Sequence, residues 1–319
     1  MSKVIDYLKR IVKKISIVTW FILLLVIIFS CVSDQYLTMR NLNILLQQGS
    51  VLLVVASAAT FVIISGGLDL SLGGILTVTG IVVALSVNAG IPIPLVLLIG
   101  AATGFASGAV NGFLISYCGL QPFIVTLGTQ GVFYGIALVL SNKVGIPVSN
   151  ESFVNLGNLI NRVIPMAFIA CFIIYLFAII VQDRTKLGRY LFAIGGNNEG
   201  ARLSGINTRF WKWFLYGFAG LLTGLGAVIL VARLEVADPL VGMKWEFEAI
   251  AATILGGTAL NIGKGDVKGT IVGVALLTVI RSGLNVIRIP SIWQPAIIGL
   301  VIVLAIVFQV SITSKETRQ

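Results

Sequence analysis

Residues 70–142 read LSLGGILTVTGIVVALSVNAGIPIPLVLLIGAATGFASGAVNGFLISYCGLQPFIVTLGTQGVFYGIALVLSN, 73 residues without one Asp, Glu, Lys or Arg. A helix on the surface of a soluble protein buries one apolar stripe and keeps a charged or polar face toward water. This run offers no such charged face. A helix needs about 20 apolar residues to cross the hydrocarbon of a bilayer, so the run is long enough for three crossings, and lipid as solvent explains it.

Charge-free runs of the same kind lie on both sides, at Ile15–Ser33, Asn41–Leu68, Val163–Gln182, Trp213–Ala232, Ala249–Gly263 and Ile289–Ser314. The stretch from Gly269 to Ile287 is interrupted only by Arg281. Ten hydrophobic segments result: 16–33, 46–65, 71–88, 93–116, 122–141, 163–182, 213–232, 248–262, 269–287 and 293–310. Of the 319 residues 57% are hydrophobic and 11% charged, with mean hydropathy +1.04, whereas soluble domains carry about 25% charged residues. The 35 glycines, without strand-like alternation, favour helices over an outer-membrane barrel. The predicted fold is an all-α polytopic membrane protein of about ten transmembrane helices in a single domain, 1–319. The third and eighth segments are short enough to be broken or half-length.

Orientation follows the basic residues. Lys3, Lys9, Arg10, Lys13 and Lys14 make 1–15 a basic cytoplasmic arm. Ten crossings then place the loop 183–212, Lys264, Lys268 and the tail 311–319 inside as well, so that 15 of the 22 basic residues are cytoplasmic and both termini are internal. The net charge of +10 reports topology and anionic headgroups, with no basic soluble face for nucleic acid. The first apolar run is too long for a signal-peptide core and no small-residue cleavage site follows it. Cys31, Cys118 and Cys171 give no disulfide framework, and with no histidine a histidine-ligated metal site and a Ser-His-Asp triad are excluded. The nearest P-loop lookalike, Gly257 to Lys264, has five residues between its glycines where four are needed, and Gly265 follows the lysine. ATP is not expected on this chain.

Several local patterns carry more specific expectations. Gly100, Gly104, Gly108 and Gly112 recur every four residues, and Gly220 and Gly224 repeat the device, as small residues do where membrane helices pack closely. Gly66–Gly73 and Gly256–Gly263 match weakly, and Gln121-Pro122 recurs as Gln294-Pro295; internal repeats with glycine-interrupted segments are characteristic of transporters. Within 183–212, Asn197 or Asn198 is suited to cap a short amphipathic helix that carries Leu203 and Ile206 on one face and stops at Gly205. Asp69 is the only charged residue between Arg40 and Lys143; it either meets a solute or, with Ser71, caps the helix that follows. Asn111, Gln121, Phe123, Thr126, Thr129 and Gln130 are further pathway candidates, although such residues more often bond to neighbouring helices. Glu246 and Glu248, with Glu235 and Asp238 upstream and the loop 142–162, read as an outer acidic docking surface or a solvated loop. Arg281 reads as snorkelling to the outer interface.

Three of these stretches also carry a family likeness. The run Gly66-Gly67-Leu68-Asp69-Leu70-Ser71, the run Ala193–Ile206 and the run Glu248–Thr258 occur in the order in which similar motifs occur in permeases of ribose-type sugar ABC importers, and the chain resembles that family over nearly its whole length. The resemblance implies a permease of the bacterial inner membrane that performs no covalent chemistry and holds no cofactor, with ATP and Mg²⁺ on a partner ATPase. It implies a second permease, identical or paralogous, and an extracytoplasmic sugar-binding protein. It makes Asn197, Asn198, Glu199, Ala201, Arg202, Leu203, Ser204 and Gly205 the coupling helix that sits on the ATPase. Asp69, Ser71, Asn111, Gln121, Phe123, Thr126 and Gln130 stand as the substrate pathway. An ion-coupled secondary transporter is the alternative, though it usually needs more intramembrane acids than Asp69.

Overall fold

The computed structural model describes residues 17–160, 164–259, 263–290, 292–301 and 303–304. The arm 1–15 and the tail 311–319 lie outside the described residues, as do 260–262 within the P-loop lookalike. The described helices are α1 Ile17–Val32, α2 Met39–Ile64, α3 Leu72–Asn88, α4 Ile93–Ser116, α5 Pro122–Leu140, α6 Glu151–Val154, α7 Met166–Arg184, α8 Lys186–Gly196, α9 Asn198–Leu203, α10 Thr208–Leu234, α11 Trp245–Leu255 and α12 Val267–Val286. Helical backbone resumes over 294–301. Two short antiparallel ladders complete the described fold: β1 (Ile146–Pro147) pairs with β4 (Val236–Ala237), and β2 (Leu159–Ile160) with β3 (Ile164–Pro165). Six helices, α2, α4, α5, α7, α10 and α12, are long and apolar enough to cross a membrane, and α1 and α3 are shorter apolar helices.

The core is built on α2 and α10, whose apolar windows are each 83% buried inside the chain. Around them stand α3, α7, α11 and α12. By contrast α4 and α5 are only 28% and 22% buried and turn most of their surface outward. The extensive α4–α10 contact depends on glycine. Gly104 faces Gly220 and Gly224, Gly108 faces Tyr216 and Gly220, and Gly112 faces Trp213, backbone against backbone. Without Cβ atoms the two helices approach until their main chains touch.

The paired glycines are helix stops. After α2 the N–H of Gly66 donates to Ile63 and that of Gly67 to Val62; after α11 Gly257 donates to Ile254 and Thr258 to Thr253. Both are the two-bond C-terminal motif that needs a left-handed residue, and Gly66 and Gly257 supply it at φ +81° and +94°. The equivalent residues are therefore offset by one from the pairing that the sequence repeat implies. The two Gln-Pro steps share a role as well: each opens a helix, at Pro122 and near Pro295.

Of the apolar bundle helices flanked on both sides by described residues, α3 and α11 are too short to span on helix alone. At 1.5 Å per residue α3 is about 26 Å and α11 about 17 Å long, against a hydrocarbon core of about 30 Å. Both begin inside the bundle. Gly74, in the first turn of α3, faces Gln130, half-way along α5, so closely that a methyl group there would lie 3.1 Å from the Gln130 carbonyl oxygen. The loop before α11 dips to the same place, where the Gly242 N–H donates to Thr77 at 3.1 Å. Irregular backbone is tolerated inside a membrane only against protein or water, and here it is packed against protein.

Candidate functional site

The break between α2 and α3 is held by a short chain of hydrogen bonds. Asp69 Oδ1 accepts the backbone N–H of Ser71 at 2.8 Å and its hydroxyl at 2.6 Å. Asn111 of α4 donates from Nδ2 to Ser71 Oγ at 2.6 Å, and the Tyr216 hydroxyl of α10 donates to the Leu68 carbonyl at 3.3 Å. Asp69 is 2% exposed, and Ser71 and Asn111 are fully buried. Ser71 occupies the N-cap position of α3 without using its side chain as a cap; its hydroxyl is committed to Asp69 and Asn111. This arrangement brings together three residues that the sequence singles out and pins the start of α3 to α4.

The other pathway candidates lie on α5 and separate by burial. Gln121 and Phe123 are exposed at its first turn. Thr126 is fully buried and donates to the Pro122 carbonyl at 2.8 Å, and Thr129 bonds back to Val125 in the same way. Gln130 donates to Glu246 Oε1 at 2.6 Å.

Glu246 was missed by sequence reasoning as an interior residue. It is 2% exposed, against Gly73 and Tyr134, which corrects its placement on an outer acidic surface. Its carboxylate stands between the N-termini of α3 and α11, where helix dipoles favour negative charge. Nothing local in the sequence marks it, because only the inward dip of 238–244 carries it there. Arg281 needs correction too. Rather than snorkelling, it pairs with Glu248 at 2.5 Å, with side chains 29% and 20% exposed. Of the four acids assigned to the docking surface, Glu235 and Asp238 alone remain away from these interior contacts.

Polar ties fasten the other helices. Thr60 of α2 lies 3.1 Å from Thr253 of α11 and 2.7 Å from Thr270 of α12, all three fully buried. Gln182 of α7 donates to Asp266 at 3.0 Å and accepts the Val267 N–H at 2.9 Å. The half-buried Arg233 guanidinium of α10 donates to the Gln47 carbonyl of α2.

At the end of the bundle where α2 stops, α8 and α9 project. Asn197 caps α9, its Oδ1 accepting the Gly200 N–H at 2.8 Å. Glu199 and Arg202 form an ion pair at 2.5 Å, each 62% exposed, and the bond from Arg202 holds the Glu199 carboxyl below its usual range. Leu203 is 75% exposed, whereas Ala201 is buried underneath. Gly205, at φ +84°, ends the helix. Ile206 therefore lies beyond the stop, its N–H returning to Ala201, and is not on one helical face with Leu203. Among the described residues no group of three or more His, Cys, Asp or Glu is placed to hold a metal ion.

Comparison with known proteins decides what this architecture belongs to. Residues 41–306 match the family described as the permease component of branched-chain amino acid transport systems. The ribose import permease protein RbsC of Escherichia coli (strain K12) is 38% identical over 296 residues, 89% of this chain and 90% of that protein. The D-allose transport system permease protein AlsC of the same strain is 36% identical over 291 residues, covering 90% and 89%. Its galactose/methyl galactoside import permease protein MglC is 33% identical over 311 residues, 91% of each. The chain belongs to this permease family. It is a multi-pass permease subunit of a bacterial inner-membrane ABC importer and not itself an enzyme. A permease of this kind works with an ATPase and a binding protein, and the ion-coupled alternative falls away. No solved structure gives a significant match to the chain.

Proposed function

We propose that this permease forms the translocation pathway for a monosaccharide of the ribose, allose or galactose type. The observation that carries the reading is end-to-end similarity, over about nine-tenths of each chain, to permeases named for those three sugars. A framework shared across all three is a framework for a small polyhydroxylated solute.

The topology we propose has ten crossings, with both termini and the loop 183–212 in the cytoplasm. It is supported by the charge distribution, and it puts α8 and α9 on the ATPase side. There α9, with Asn197, Asn198, Glu199, Ala201, Arg202, Leu203, Ser204 and Gly205, acts as the coupling helix. Its capped start and left-handed stop keep it rigid, while exposed Leu203 and the Glu199–Arg202 pair offer an apolar and a charged contact to a groove on the ATPase. ATP and Mg²⁺ are bound by that partner, and a second permease copy or paralogue completes the pathway. Asp69, Ser71, Asn111 and Thr126 hold the frame of the pathway through bonds inside the chain. Gln121, Phe123 and Gln130 belong to α5, the least buried of the six long candidate spans.

The test is reconstitution with the ATPase and binding protein encoded beside this chain. A stable complex whose ATP hydrolysis rises with one sugar-loaded binding protein, together with uptake of that sugar, is the expected result. Uptake by this chain alone, without an ATPase, would overturn the reading.

A further inference from the structure

The polar residues that sequence alone nominates for sugar contact are mostly spent. Asp69, Ser71, Asn111 and Thr126 are buried and bonded within the chain; Asp69 Oδ2 and Asn111 Oδ1 each keep a free acceptor, but both atoms are shut off from solvent. A sugar that took those bonds would leave buried groups unpaired, at a cost that weak, reversible passage does not allow. A different set of polar groups is still open to a solute. The first turn of α11, the outer half of α12 and the helical residues from 294 flank an open cavity of about 360 Å³. The Glu248–Arg281 pair, Gln294, Trp245, Met243 and Phe247 line it.

We infer that this cavity is the water-filled part of the pathway and the place where the monosaccharide touches the permease; the inference rests on the importer reading above. Three observations support it. First, Glu248 and Arg281 keep 20% and 29% of their side chains accessible. Charges within membrane segments face water or protein rather than lipid, so the accessible side of this pair is turned away from the hydrocarbon. Second, the lining combines what a sugar needs. A carboxylate accepts from neighbouring hydroxyls, a guanidinium donates along fixed directions, and the Gln294 carboxamide is oriented by its 2.8 Å bond to Asn285. Beside them, Trp245, Phe247 (57% exposed) and Met243 (51% exposed) supply apolar faces for the C–H side of the ring. Because Glu248 and Arg281 already neutralise each other, they can exchange hydrogen bonds with a sugar without leaving a bare ion between them, and Lys244, which also lines the cavity, adds one further donor. Third, the cavity sits at the N-terminus of a helix that begins inside the bundle, next to the irregular 238–244 segment. Discontinuous helices build transporter sites in this way, and the size falls at the small end of ligand cavities, about 300–1,000 Å³.

The experiment uses the full transporter in proteoliposomes, with Cys31, Cys118 and Cys171 replaced by Ser and single cysteines placed at Met243, Phe247 or Gly299. A membrane-impermeant charged thiol reagent should modify these positions in the resting state, and trapping with ATP and vanadate should change the rate. Absence of modification at all three sites, as expected of a face covered by lipid or by the second permease, overturns the inference. A second arm measures uptake of whichever of D-ribose, D-allose and D-galactose the wild type carries best. Gln294→Ala and Phe247→Ala should each raise KM about fivefold, the equivalent of about 1 kcal/mol for one lost contact, with ATP hydrolysis still stimulated by the binding protein. Unchanged KM in both variants also overturns it. If the wild-type complex shows no stimulation by any binding protein, it is the importer reading that has failed.

Discussion

The α4–α10 interface supplies a prediction whose size can be worked from the structure. In Gly104→Ala the new methyl carbon would lie 2.8 Å from the Gly224 Cα and 3.0 Å from its nitrogen, and closer still to the Gly220 carbonyl oxygen. Non-bonded carbons rest at about 3.5–4.0 Å, so the helices must separate by about 1 Å at this point. Every neighbour is main chain, and no side chain can rotate away. Overpacking costs about 1–3 kcal/mol, and a contact with no soft partner belongs at the upper end, ~3 kcal/mol. The same protein carries its own control. At Gly128, Gly131 and Gly135 on α5 a methyl group would meet no atom within 4 Å, so alanine there gains helix propensity, up to ~1 kcal/mol. Titration of the purified permease in mild detergent with SDS, followed by loss of helicity, should separate Gly104→Ala from Gly128→Ala by ~3–4 kcal/mol. Equal stabilities, or a Gly104→Ala variant within about 0.5 kcal/mol of wild type, would refute the claim that backbone contact holds these helices together.

Three further outcomes are expected. Asp69→Ala removes the acceptor that serves both Ser71 groups and should cost ~1–3 kcal/mol, whereas Asp69→Asn, which keeps one carbonyl oxygen, should retain assembly; equal loss in both by size-exclusion and thermal unfolding would show that charge rather than geometry holds the break. Thr253→Val loses the buried bridge between α2 and α11 and should lower stability by ~1 kcal/mol, read in the same SDS titration. Arg202→Ala should leave the stability of the chain unchanged, because its partner is exposed, yet reduce the rise in ATP hydrolysis caused by the loaded binding protein. Since the bond to Arg202 lowers the Glu199 pKa, that pair is present above the ordinary carboxylate range and is lost only as pH falls below it. Wild-type coupling should therefore be flat from pH 8 to about 5, and a loss centred near neutrality would exclude the pair.

The helices were legible because lipid imposes a length and forbids charge, so segments such as 93–116 and 122–141 coincide with α4 and α5 almost residue for residue. Shortness was legible for the same reason: a segment that cannot span must begin or end inside, as α3 and α11 do. Asn197 and Gly205 were legible as the bounds of α9 because cap chemistry is local. Pairings over long sequence distances were not. Arg281 and Glu248 are 33 residues apart, and each, read alone, has a satisfactory surface role. Glu246 looked like part of an acidic loop because its neighbours are loop residues, and only the path of 238–244 back toward Gly73 makes it interior.

The same distinction separates frame from pathway. Residue type selects Asp69, Asn111 and Thr126 as readily as Glu248 and Gln294, since any polar group in a membrane segment is costly and must be there for something. The two purposes available, tying helices together and meeting a solute, use the same side chains. Burial and existing partners divide them: Asn111 is already bonded and closed to water, whereas the Glu248–Arg281 pair is bonded and still open on one side. A solute can exchange weak contacts with the second kind of group without dismantling the bundle. That is the property a permease needs if affinity resides in its binding protein and passage is to be rapid.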